Sequence, residues 1–64
     1  MKFRATITYV MKLETGLVQT FVKHVNGSRT AIFNAISDIM INARYNNEVG
    51  ELIDITVVIR KERV

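Results

Sequence analysis

Three glycines and no proline punctuate this chain, and their spacing decides what it can become. Gly16, Gly27 and Gly50 each fall between segments of regular periodicity, so they cut the sequence into four pieces. In the first piece Phe3, Ala5, Ile7, Tyr9 and Met11 alternate with Arg4, Thr6, Thr8, Val10 and Lys12. A period of two, rich in β-branched residues, is the pattern of a strand, here Lys2 to Leu13. Glu14-Thr15-Gly16 then fits a three-residue hairpin loop, a type I turn closed by a glycine of positive φ. The second strand follows from Leu17 to Val25.

That loop also predicts the register. With Leu13 facing Leu17, Tyr9 lies opposite Phe21 and Ala5 opposite Val25, so aromatic and apolar pairs share one face. Leu17, Phe21 and Val25 then join Phe3, Ile7, Tyr9 and Met11 in the core. Gln19 and Lys23 fall on the same face, which suits an edge strand whose long side chains reach past the rim. A slip of one residue would instead turn Val18, Thr20, Val22 and His24 inward; the first register pairs the apolar residues better.

Asn26-Gly27 marks the next turn, and Ser28 is placed to cap a helix. From there Ile32, Phe33, Ile36, Ile39, Met40 and Ala43 recur at three- and four-residue spacing. They fall within an apolar stripe ~120° wide, the mark of a helix lying on a sheet. Phe33 and Met40 on that stripe are expected to pack in the core, and the helix is expected to end near Tyr45, before Asn46-Asn47. In the last piece Ile53, Ile55, Val57 and Ile59 predict one apolar face of a strand from Glu51 to about Lys61. Leu52, Asp54, Thr56, Val58 and Arg60 form the other. The order is β-β-α-β: an α+β fold of two layers, one helix packed on a three-stranded antiparallel sheet in the order 2-1-3, with a right-handed crossover through the helix. Residues 1–64 are expected to form a single domain.

A chain of 64 residues is short for a self-sufficient core. Domains of this size add a disulfide, a metal or a partner subunit. With no cysteine and one histidine, thiolate and imidazole metal sites and disulfides are excluded, so a homodimer is the expected route. No cofactor or metal is expected. The first residues lack the apolar run of a signal peptide, and the apolar stretches are too short to span a bilayer, so a cytoplasmic protein is the simplest expectation. Small ββαβ proteins also occur among phage and mobile-element proteins, a fold-level analogy that bears on source and not on function.

Three surface features remain for function. The outer sheet face would carry Val10, Val18, Val22 and Val58 among threonines, an apolar area suited to a protein partner or to a second copy. Ile41 lies on the helix opposite the core stripe, with Tyr45 one turn on, a pair that suits an interface anchor. Finally Lys2, Arg4, Arg29, Arg60, Lys61 and Arg63 gather at one end of the sheet, within a formal net charge of +3. That end is a candidate anion or nucleic-acid site, although the aromatic platforms of single-strand binders are missing from the free sheet face. The serines lack a base-and-orienter constellation and the carboxylates are scattered, so no catalytic residue is expected. The expected function is a small non-catalytic binding or regulatory protein acting by protein–protein contact; the alternative is a nucleic-acid-binding module that uses the basic end.

Overall fold

The computed structural model describes residues 2–42, 44–45 and 48–62. The elements run β1 (Phe3–Leu13), β2 (Val18–Gly27), α1 (Arg29–Asn42), β3 (Arg44–Tyr45) and β4 (Glu48–Lys61). Three long antiparallel strands take the order β2-β1-β4, and α1 covers one side of them. The two-layer α+β arrangement read from the sequence is therefore present, with β4 as the third long strand. The two-residue β3 is an addition: it pairs only with Glu48 and Val49 at the start of β4.

The hairpin forms as its sequence dictates. The Gly16 amide donates to the Leu13 carbonyl at 2.8 Å, and the Leu13 amide donates to Leu17 at the same distance. Gly16 has φ of 89°, a conformation that costs a side-chain-bearing residue about 1–2 kcal/mol. Tyr9 faces Phe21 and Ala5 faces Val25 across the ladder, the first of the two registers weighed. The Tyr9 and Phe21 rings lie 5.6 Å apart at 34°, an aromatic pair at the heart of the core. Around it are buried Ile7, Met11, Leu13 and Ile39, with Val25, Ala35, Ile36, Leu52, Ile55 and Val57 partly buried against them. Gln19 and Lys23 are exposed on the β2 edge, as expected.

The helix starts where its cap requires. The Ser28 hydroxyl accepts the Ala31 amide at 3.2 Å, satisfying one of the free donors of the first turn. The helix then ends at Asn42, earlier than the periodicity suggests. Tyr45 lies in β3, so it is not one turn beyond Ile41 on a shared helical face. Ala43 falls outside the described residues.

Three further expectations are corrected. Phe33 and Met40 are 55% and 60% exposed, not packed, because α1 lies over β2 and β1 and leaves β4 largely uncovered. On β4 the pairing with β1 shifts between Val10 and Met11: Val10 faces Asp54 while Met11 faces Leu52. Ile53 is the extra residue of a β-bulge. The bulge carries Leu52 onto the core side, where it is half-buried, and leaves Ile53 about half exposed; Ile59, near the other end of β4, is about half exposed because α1 leaves that strand largely uncovered. Leu17, expected in the core, is likewise exposed at the hairpin end.

Gly50 sits directly beyond that bulge, opposite Leu13. A Cβ there would come 2.6 Å from the Lys12 carbonyl oxygen and 3.2 Å from the Met11 methyl. Backbone approaching backbone leaves nothing flexible to yield. Gly50→Ala is expected to destabilise the fold by about 1–3 kcal/mol, the usual cost of overpacking. Measured by urea unfolding, a loss of under half that would show that β4 can shift its register.

The uneven cover of the helix gives a second test. Ile32→Ala, which empties a position 1% exposed, is expected to cost about 2–5 kcal/mol, whereas Phe33→Ser should cost less than about 1 kcal/mol. Similar losses for both would contradict the position of α1 over β2 and β1.

Candidate functional site

No helix is long and apolar enough to cross a membrane, and no cluster of potential metal ligands occurs among the described residues. The candidate sites read from the sequence are surfaces, and the strand registers fix how each is composed.

On the outer face of the sheet, even-numbered residues of β1 stand between their partners on β2 and β4. Five rows result: Asn26–Arg4–Arg60, His24–Thr6–Val58, Val22–Thr8–Thr56, Thr20–Val10–Asp54 and Val18–Lys12–Glu51. Val22, Val10 and Val18 are diagonal neighbours and form a continuous apolar run across β2 and β1. Val58 lies apart from them, flanked by Thr6. Val18, Val22 and Val58 are all just over half exposed, while Val10 is half-buried. The four valines expected to share a patch thus make a run of three and an outlier, with threonines between. Thr6 and His24 meet at 3.3 Å through the hydroxyl and Nδ1.

The basic end is divided between the two sides of the sheet. On the outer side Arg4 and Arg60 are directly opposite each other. They line one shallow cleft with Lys61 and Glu62. Two like charges facing each other across strands oppose pairing unless an anion lies between them. Glu62 supplies part of that charge, 3.7 Å from Arg4, with the two side chains 62% and 34% exposed for Arg4 and Glu62 respectively. An ion pair this open contributes little to stability. Lys2 adjoins this end through its carbonyl, which accepts the Glu62 amide at 3.0 Å. Arg29 belongs elsewhere: its guanidinium lies 5.9 Å above the Phe3 ring on the helix side. Arg63 falls outside the described residues.

On the helix side lies a feature that the sequence reading did not single out. Phe3, Arg29, Ile32, Phe33 and Ile59 line an apolar cleft between the start of α1 and the end of β4. Its signal was the breadth of the apolar stripe on α1. A helix resting on two strands buries a narrow arc, so the outlying Phe33 and Met40 had to face something else. Ile41 remains on the far side of the helix, 79% exposed.

Comparison with protein-family models, curated proteins and solved structures finds no match for this chain.

Proposed function

We propose that this protein is a non-catalytic binding module that acts by docking onto another protein, and that it does so as a homodimer. What carries the reading is the amount of large apolar side chain left in water. Leu17, Val18, Val22, Phe33, Met40, Ile41, Ile53, Val58 and Ile59 are each about half exposed or more, in a chain of only 64 residues. Single exposed apolar residues are ordinary, but grouped ones mark association surfaces. The run Val22–Val10–Val18 offers the partner a flat, rigid face built on paired strands.

The test compares capture of host proteins by the wild-type chain and by Val18→Glu/Val22→Glu. Both positions are exposed on the outer face, so circular dichroism should be unchanged. A specific protein retained by the wild type and reduced at least about tenfold by the double substitution is the expected outcome, in line with two lost apolar contacts. Equal capture by both forms would remove the outer face from the proposal.

A second reading rests on one observation, the facing arginines. Arg4 and Arg60 in one cleft with Lys61 suit the phosphate backbone of a nucleic acid. Here Arg60→Ala with Lys61→Ala should weaken binding and flatten its dependence on salt by roughly one unit of slope per lost phosphate contact. A chain that produces no gel shift at low salt does not act in this way.

A further inference from the structure

We infer that the free edge of β4 binds the β4 edge of a second copy of this chain, making one continuous sheet with six long strands. The inference rests on the homodimer in the proposed function and assigns it a surface, distinct from the outer sheet face.

The two edges of the sheet differ in how they are protected. The outer edge of β2 carries Lys23 and Gln19 on the core side, polar side chains of the kind that keep an edge from pairing. Along β4, Ile53-Asp54-Ile55-Thr56-Val57-Val58-Ile59 holds a single charge. Its bulge and the short β3 protect only the start of the strand, since β3 pairs with β4 no further than Val49. Among the described residues no strand lies along the outer edge from Ile53 to Lys61.

The backbone groups on that edge are placed to pair. Hydrogen-bonded and non-bonded pairs alternate along an antiparallel ladder. The bond from Leu13 to Leu17 shows that odd residues of β1 turn toward β2, so the even ones turn toward β4. The bond from the Glu62 amide to the Lys2 carbonyl agrees. Even residues of β4 therefore bond to β1, and the amides and carbonyls of Val57 and Ile59 and the carbonyl of Ile55 aim at the open edge; the Ile55 amide donates to Asp54 Oδ1 at 3.0 Å, which leaves the other carboxylate oxygen of Asp54 for a partner.

Side chains select a register for a twofold antiparallel pair. Centred on Val57, Val57 faces its own copy and Ile55 faces the second copy's Ile59, all on the helix side. On the outer side Asp54 faces the second copy's Arg60, and by symmetry this happens twice. Asp54 and Arg60 are both exposed. The pairing covers Ile53 through Lys61 and leaves β3 undisturbed. It also brings the exposed Ile59, beside Phe33 in the cleft on the helix side, toward the dimer axis.

Surface area agrees with this occupant. The chain exposes 4875 Å². A compact monomer of its mass exposes about 4200 Å². The excess of roughly 700 Å² is close to the share, about 800 Å², that one partner contributes to a standard interface.

The test is sedimentation equilibrium of the full chain at micromolar concentration, with circular dichroism to confirm folding. The wild type is expected at the mass of two chains. Asp54→Arg and Arg60→Asp should each raise the dissociation constant about tenfold, because each sets like charges opposite one another at two places. The double swap Asp54→Arg/Arg60→Asp should return it to within about threefold of wild type, which no folding defect would do. Val57→Pro should also separate the chains, since it removes an edge amide and leaves the β1–β4 ladder intact. If this variant does not fold, the charge swap decides. A dimer that is indifferent to the charge variants but broken by Val22→Glu would overturn the edge pairing and keep the homodimer on the outer face. A monomeric wild type would overturn both, while leaving the captured-partner experiment to judge protein docking on its own.

Discussion

Strand β1 is the one element with a full-length partner on each side, and every other element is placed by it. Its odd residues supply Ala5, Ile7, Tyr9, Met11 and Leu13, all buried, and its even residues supply the middle column of the outer face. The alternation is strict over eleven residues, so a slip of one residue on either side would exchange core for solvent. The Gly16 loop prevents that slip toward β2. Toward β4 the protection is different: Gly50, approaching the Lys12 carbonyl, and the bulge at Ile53 fix where the last strand begins to pair. A central strand with two independently pinned neighbours explains how a chain without disulfides keeps one register.

The helix then sets the limit of the core. Fourteen residues of α-helix are about 21 Å long, whereas eleven residues of strand extend about 37 Å. A single short helix cannot shield a sheet that long and three strands wide. It settles over β2 and β1, where Phe21 and Val25 face it, and β4 keeps its apolar side half open. The elongated outline of 44 × 16 × 16 Å is the same fact seen from outside. Exposed Phe33, Met40 and Ile59 follow from geometry: they are the apolar groups beyond the reach of the cover.

Much of this was legible in the sequence, and what was missed has identifiable causes. Glycine at the third loop position, alternation in β1 and the pairing of Tyr9 with Phe21 together specified the hairpin, because all three depend on neighbours close along the chain. The Ser28 cap was equally local. The bulge was not, since Ile53, Ile55, Val57 and Ile59 look like one face whether or not a residue is skipped in pairing. Only the partner strand reveals that Leu52 replaces Ile53 in the core. Phe33 and Met40 failed for a related reason: a helical wheel gives the direction of a stripe, but the width that is buried depends on where the helix lies across the strands. Tyr45 was assigned to the helix because nothing at Asn42 resembles a stop signal. The two-residue pairing with Glu48 and Val49 claims that segment instead. Of the six basic residues expected at one end, Arg4, Arg60 and Lys61 line one cleft. Period alone did not reveal that Arg29 stacks on Phe3 across the sheet.

These exposures tie stability to association. A small core gives a small margin, and the apolar groups that would enlarge it lie on surfaces a second molecule could cover. Anything that binds only the folded chain raises its apparent stability by mass action, about 2.7 kcal/mol at a hundredfold excess over the dissociation constant. For a domain near the lower size limit that gain is a large fraction of the total. In the proposed dimer folding and contact would be one equilibrium rather than two: a second copy would complete the layer that a fourteen-residue helix leaves unfinished. Val10 lies beside Asp54 of the β4 edge, but Val18 and Val22 stand on β2, on the far side of β1, so the proposed edge pairing leaves them open. On the proposed reading the edge of β4 would then supply stability and the valines of β2 would do the binding.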